Sequence, residues 1–202
     1  MKIDIVGEDQ VTQTIIERLI NDYRTDLSIN NRLPVRGGQI QTLAPKLNLL
    51  DSRIFLLTDL DNYDCPPSLV TDWLGGQPVN PQLLFRVAKD EAESWLMSDR
   101  EGFSKWLQID IDLIPTPSII DNKTGAIELV FPYKPSLYMM LTMASKSSNK
   151  ELKEYLTPVK GAKKGPGYNS AILPYIKDKW DIENAAKNSE SLARTIQRLQ
   201  AY

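Results

Sequence analysis

Asp59 and Asp61 flank a single leucine where the apolar run beginning at Ile54 ends, in the stretch IFLLTDLDNYDCPP. Two carboxylates at an i, i+2 spacing in a loop after a strand can both turn their oxygens inward, which suits a hard cation such as Mg2+ or Mn2+. Mg2+ keeps several waters in such a site and leaves room for a substrate phosphate. The same residues also read as a turn, with Asp59 capping it and Asp61 starting an Asx-turn. Further acids stand in comparable places: Glu8 in VGED, and Glu91 and Glu93 in AKDEAESWLMSD. Taken singly, each is an ordinary acid near a helix N-terminus, where the macrodipole favours negative charge. Glu91 and Glu93 fall on different helix faces, so only one of the two is expected to face the strand edge. Asp90 and Asp99 read as caps.

Composition narrows the chemistry. The 202 residues contain no histidine and one cysteine, Cys65. Ser-His-Asp and Cys-His catalysis, His-ligated zinc and four-Cys zinc are therefore excluded. Any catalysis has to run on carboxylates, Lys, Tyr, Ser or Thr, with an oxygen-liganded cation as the natural helper. The 24 basic and 26 acidic residues give a net charge of −2, so a surface for nucleic acid has to be local. No basic segment followed by an apolar core opens the chain, and no apolar run approaches the ~20 residues of a membrane span. With a lone cysteine, these features predict a cytoplasmic protein without membrane contact.

The elements that must position these acids alternate. Lys2 to Val6 reads as a strand and Thr12 to Tyr23 as a helix capped by Thr12 or Asp9. RLPVRGGQIQ reads as a turn leading into a helix over Gln39 to Leu50. Arg53 to Leu57 is a continuous apolar strand of the kind buried in parallel sheets. A helix over Ser68 to Leu74, the turn GGQPVNP and a strand over Leu83 to Ala88 follow. Glu91 to Met97 then starts a helix whose apolar face continues through Phe103, Trp106 and Leu107. The pattern predicts an α/β fold, a mostly parallel sheet flanked by helices. Ligands of such sheets bind outside the carboxyl ends of the strands, where all three acidic groups are expected to converge.

After this core, assigned to residues 1–110, residues 111–202 read as a hairpin and helical extension packed on it within one structural domain. The hairpin turns at Asn122 to Gly125, and helices are expected over Ser136 to Ser145, Lys150 to Leu156, Ala171 to Trp180 and Ser189 to Leu199. The last of these carries the apolar stripe Leu192, Ile196, Leu199. Between them lies VKGAKKGPGY, where Lys160, Lys163 and Lys164 can bind phosphate and Tyr168 can stack on a base; a solvated loop is the equal alternative. The spacing is not that of a P-loop. Trp95, Trp106 and Trp180 read as packing residues, and Cys65 as a turn or core residue.

The succession VGED, LTDLD and AKDEAESWLMSD resembles a TOPRIM domain, and more narrowly the small TOPRIM-like proteins related to OLD-family nucleases. Many of these are encoded beside an ATPase in phage-defence loci. The tail GPGYNSAILPYIKDKWDIENAAKNSESLARTIQRL is similar to the helical end of that family, so the resemblance covers most of the chain. It implies that Glu8 is the general acid/base or metal-bridging acid, that Asp59 and Asp61 are Mg2+ ligands, and that Glu93 serves a second metal. Thr12 stands about where many relatives carry a further glutamate. The resemblance further implies a Mg2+-dependent nuclease acting on DNA or RNA, the effector of a phage-defence system controlled by an ABC-type or AAA ATPase. The alternatives are a non-catalytic binding or regulatory subunit of such an ATPase complex and, more distantly, an enzyme acting on a small phosphate-containing substrate. Self-association is left open.

Overall fold

In the computed structural model, which describes residues 1–34 and 38–202, the chain forms two compact units, residues 1–89 with 194–202, and residues 90–193. The turn expected within RLPVRGGQIQ falls largely on residues 35–37, outside the described residues.

The first unit is an all-parallel four-stranded sheet. Its elements run β1 (Lys2–Gly7), α1 (Gln10–Tyr23), β2 (Ser28–Pro34), α2 (Gln39–Leu47), β3 (Ile54–Asp59), α3 (Pro66–Trp73) and β4 (Leu83–Ala88). The strand order is β2-β1-β3-β4. Successive side chains of a strand point to opposite faces. On one face, Val6, Ile54, Leu56, Phe85 and Val87 pack with Ile40, Ala44 and Leu47 of α2 and Leu69 of α3. The alternate residues Ile3, Ile5, Phe55 and Leu57 face the other way, the side taken by the buried stripe Val11, Ile15, Ile16, Leu19 and Ile20 of α1. This layering is the α/β architecture that the alternating pattern predicts.

Close approach of α1 to the end of β1 depends on one glycine. A Cβ on Gly7 would stand 3.0 Å from both the Gln13 amide nitrogen and the Thr12 Cβ. Gly7→Ala is therefore expected to lift the first turn of α1 and destabilise the protein by about 1–3 kcal/mol, as overpacking does. Urea unfolding checks this: an unchanged midpoint would show that the helix moves without strain.

The second unit is mainly helical, with α4 (Ala92–Ser98), α5 (Arg100–Leu107), an antiparallel hairpin of β5 (Pro117–Asp121) and β6 (Ala126–Leu129), α6 (Pro135–Tyr138), α7 (Lys150–Leu156), α8 (Tyr168–Asp178) and α9 (Ile182–Lys187). Helical winding continues from α6 as a π-turn over Met139–Met143, whose three methionines are buried. α10 (Glu190–Ala201) closes the chain, and its stripe Leu192, Ile196 and Leu199 is buried as its spacing predicts. α8 occupies the stretch where a helix was expected over Ala171 to Trp180, and between it and α10 the chain adds the short α9, which was not expected and which Asp181 caps through the Asn184 amide at 2.9 Å.

Glu128 of β6 is only 3% exposed. It accepts hydrogen bonds from the Ser189 hydroxyl and the Ser191 amide, both at 2.6 Å. The Ser191 hydroxyl in turn accepts from Trp95 Nε1 at 2.8 Å. Burial pushes the Glu128 carboxyl up from its ordinary value of about 4.5, with the Asp90 charge adding to the rise and the bonds from Ser189 and Ser191 opposing it. The folded chain therefore takes up this proton at a higher pH than the unfolded chain. The stabilisation from Glu128 is absent above the folded value, grows as pH falls through it, and is complete only below about pH 4.5. Glu128→Gln is expected to be no less stable than wild type near neutrality and to lack this acid-side gain. Thermal unfolding across the acid range measures it, and parallel pH profiles for the two proteins would contradict the assignment.

Candidate active site at the sheet switch point

The strand order makes a switch point at the β1/β3 boundary. From β1 the chain moves outward to β2, then returns to the other side of β1 for β3 and β4. Helices leave the two sides of this boundary on opposite faces, which opens a crevice at the carboxyl ends of β1 and β3. Glu8 is the first residue after β1 and Asp59 the last of β3.

Gly7 pairs with Leu57 in the β1–β3 register, which sets Glu8 beside Thr58. The Thr58 hydroxyl donates to Glu8 Oε1. The Asp59 amide donates to the same oxygen at 3.3 Å. Thr58 is fully buried, so one oxygen of the Glu8 carboxylate is held from within the sheet. Asp9 sits one residue further on and caps α1, accepting from the Thr12 amide at 3.0 Å and the Thr12 hydroxyl at 3.1 Å. Of the two caps the sequence allows, Asp9 is the one used; the Thr12 hydroxyl is spent on it.

Leu60 explains the spacing of the aspartates. It is 2% exposed within the α2/α3-side core, and its amide continues the ladder by donating to Ala88 O at 3.0 Å. Anchoring Leu60 inward leaves its neighbours at the surface of the edge. Asp59 is still in strand conformation, partly buried, whereas Asp61 is exposed with φ +46°, in the left-handed region that aspartate tolerates. The Tyr63 amide closes this turn on Leu60 O at 3.1 Å. Strand alternation thus ends at Leu60, and the aspartates occupy different backbone environments.

Glu91 and Glu93 belong to the second unit and are buried there. Glu91 accepts from the Ser136 amide at 2.8 Å, and its other oxygen lies 3.4 Å from Lys134 Nζ. Glu93 accepts from the Tyr168 hydroxyl at 2.6 Å. Tyr168 itself is 3% exposed, and Lys164 Nζ lies over its ring, 4.5 Å from the centroid. The ring proposed for base stacking is thus covered by Lys164 and tied to Glu93, while Lys160 and Lys163 are exposed on the loop. Asp99, expected as a cap, does cap α5 through the Gly102 amide at 3.1 Å.

Among the described residues, no three acidic, cysteine or histidine side chains gather closely enough to hold a metal ion. The donor set at the switch point nonetheless fits a cation of one kind. It is oxygen only, and Mg2+ is ordinarily held by one or two carboxylates plus substrate phosphates and water rather than by a complete protein cage. Glu8 and Asp59 match that requirement.

Two residues at or near this edge escape a reading based on acids alone. Thr58 is a hydroxyl in an otherwise apolar strand, and Arg86 is a cation in the apolar run LLFRVA. Each was visible as a polar interruption of a buried strand. Arg86 is half-buried and donates through Nε to the Thr195 hydroxyl at 3.2 Å. Burial, and then the charges of Arg198 and Arg194, lower its guanidinium to about 10.

No helix among the described residues is long and apolar enough to cross a membrane. No family model, curated protein or solved structure matches the chain.

Proposed function

We propose that the chain is a TOPRIM-like, Mg2+-dependent nuclease that hydrolyses phosphodiester bonds of DNA or RNA. The observation that carries this reading is the placement of the Glu8 carboxylate against Thr58 and Asp59 at the β1/β3 switch point. Glu8 and Asp59 would hold the cation, with Asp61 on the adjoining turn. A cation bound there would supply Lewis-acid polarisation of a phosphoryl oxygen and a lowered water pKa. Thr58 and the Asp59 amide fix one oxygen of Glu8, leaving the carboxylate oriented to take a proton from attacking water. Mn2+ would serve in place of Mg2+. An ABC-type or AAA ATPase as controlling partner in phage defence belongs to the same proposal and rests on the resemblance of VGED, LTDLD and AKDEAESWLMSD to the OLD-related proteins.

The test is incubation of the pure protein with plasmid, single-stranded DNA and tRNA, in Mg2+, Mn2+ or EDTA. Cleavage in either metal and none in EDTA supports the nuclease. No cleavage of any substrate, alone or with its ATPase, would instead favour a non-catalytic subunit.

A further inference from the structure

We propose that Thr58 is a positioning residue that sets which divalent cation the switch point accepts, by leaving Glu8 a single oxygen to offer; this rests on the cation site of the nuclease reading above. Glu8, Thr58 and Asp59 all belong to the first unit. Thr58 is 0% exposed, in the otherwise apolar run IFLLTD. A buried hydroxyl is destabilising unless it finds a partner. Among the described residues the Thr58 side chain makes one hydrogen bond, its donation to Glu8 Oε1. Threonine is stiff at χ1, so packing of the side chain also fixes where the hydroxyl stands.

A second donor reaches the same oxygen because of where the ladder stops. The β1–β3 register ends at the pair Gly7 and Leu57, while β3 runs on to Asp59 beside β4. Beyond that pair the Glu8 side chain supplies the acceptor for the Asp59 amide, at 3.3 Å. Both donors therefore converge on Oε1, and Oε2 has no hydrogen bond among the described residues.

A carboxylate with one oxygen already held from inside the sheet presents one ligand atom to a cation. That suits Mg2+, which takes about six ligands in near-ideal octahedral geometry and keeps several of its waters. Ca2+ takes about six to eight oxygens and uses bidentate carboxylates. Holding Oε1 inward thus works against Ca2+, and removing the Thr58 hydroxyl leaves only the longer amide bond to restrain that oxygen. The same geometry bears on Glu8→Gln. The two donors claim its one carbonyl oxygen, so the side chain presents an amide nitrogen that cannot bind a cation.

The experiment uses wild type, Thr58→Val, Thr58→Ser and Glu8→Gln, without nucleic acid. Free Mn2+ is followed by electron paramagnetic resonance while Mg2+ or Ca2+ is titrated as competitor. In wild type Mg2+ is expected to displace Mn2+ at lower concentration than Ca2+ does. Thr58→Val keeps the shape of the buried side chain and is expected to shift the ratio of the two competitors about tenfold towards Ca2+. Thr58→Ser keeps the hydroxyl and is expected to hold the wild-type ratio. A purely structural role for Thr58 would weaken all three cations together and leave the ratio where it was, which overturns the proposal. No Mn2+ binding by wild type overturns it as well. Should Thr58→Val not fold, Glu8→Gln decides: loss of Mn2+ binding supports the held oxygen, and binding equal to wild type overturns it. If the ratio shifts as expected while wild type cuts nothing in Mg2+, the nuclease reading fails and the positioning role stands. If wild type cuts in Mg2+ and Thr58→Val keeps the wild-type ratio, the positioning role fails and the nuclease reading stands.

Discussion

Asp59→Asn and Glu8→Gln are each expected to reduce metal-dependent cleavage by about 10³-fold while leaving the fold intact. Both substitutions keep the size and one carbonyl oxygen of the side chain, so the hydrogen bonds from Thr58 and the Asp59 amide to position 8 can persist. What is lost is negative charge at the carboxyl ends of β1 and β3, the property a cation site needs. Asp61→Asn should cost less, since Asp61 is exposed on the left-handed turn rather than fixed at a strand end. Rates measured with the best substrate of the panel, beside unfolding midpoints, separate chemistry from stability. Cleavage unchanged in both Asp59→Asn and Glu8→Gln would remove the site from the switch point altogether.

The largest stability effect is expected in the second unit, at Asp99. This residue is 1% exposed. It accepts from the Gly102 amide at 3.1 Å, the Asp181 amide at 3.1 Å and Asn184 Nδ2 at 2.8 Å. One carboxylate thereby caps the start of α5 and gathers the start of α9 onto it. A Cβ on Gly102 would come within 2.0 Å of Asp99 Oδ2, so the glycine is what admits the carboxylate so close. Asp99→Ala strands these three donors, two of them at helix starts, together with the Tyr175 hydroxyl that donates to Oδ2 at 3.5 Å, and is expected to cost about 3–5 kcal/mol. Asp99→Asn, which keeps one acceptor oxygen, should cost less. Urea unfolding gives the difference directly, and a loss under about 1 kcal/mol for Asp99→Ala would show that water replaces the carboxylate without strain.

How much of this was legible depended on burial. β4 and α7 occupy the residues that periodicity assigns, Leu83–Ala88 and Lys150–Leu156, because the apolar run of the first lies in the sheet and the second has a clear cap at Asn149. β2 gave no signal. Its residues Ser28, Asn30, Asn31 and Arg32 are exposed on an edge strand, so neither a continuous apolar run nor clean alternation marks it. Without β2 the switch point could not be located, since it is β2 on one side of β1 and β3 on the other that creates it. α9 was hidden by its length: six residues carry too few apolar positions to show a helical period. At the site, the strand-end placement of Glu8 and Asp59 followed from the alternating pattern. The left-handed turn at Asp61 and the burial of Tyr168 did not, because both depend on how residues distant in sequence pack: Leu60 in the sheet core, and Tyr168 against Glu93 and Lys164.

If Glu8 and Asp59 hold a divalent cation at the β1/β3 switch point, Mn2+ binding reads it without requiring turnover. Titrating Mn2+ into wild type, Asp59→Asn and the Glu8→Gln/Asp59→Asn double variant, with free Mn2+ followed by electron paramagnetic resonance and Mg2+ as competitor, measures it most directly. Saturable binding to wild type that Mg2+ displaces is expected, weakened in Asp59→Asn and absent from the folded double variant. Equal Mn2+ binding by all three proteins, or none by wild type, would contradict it.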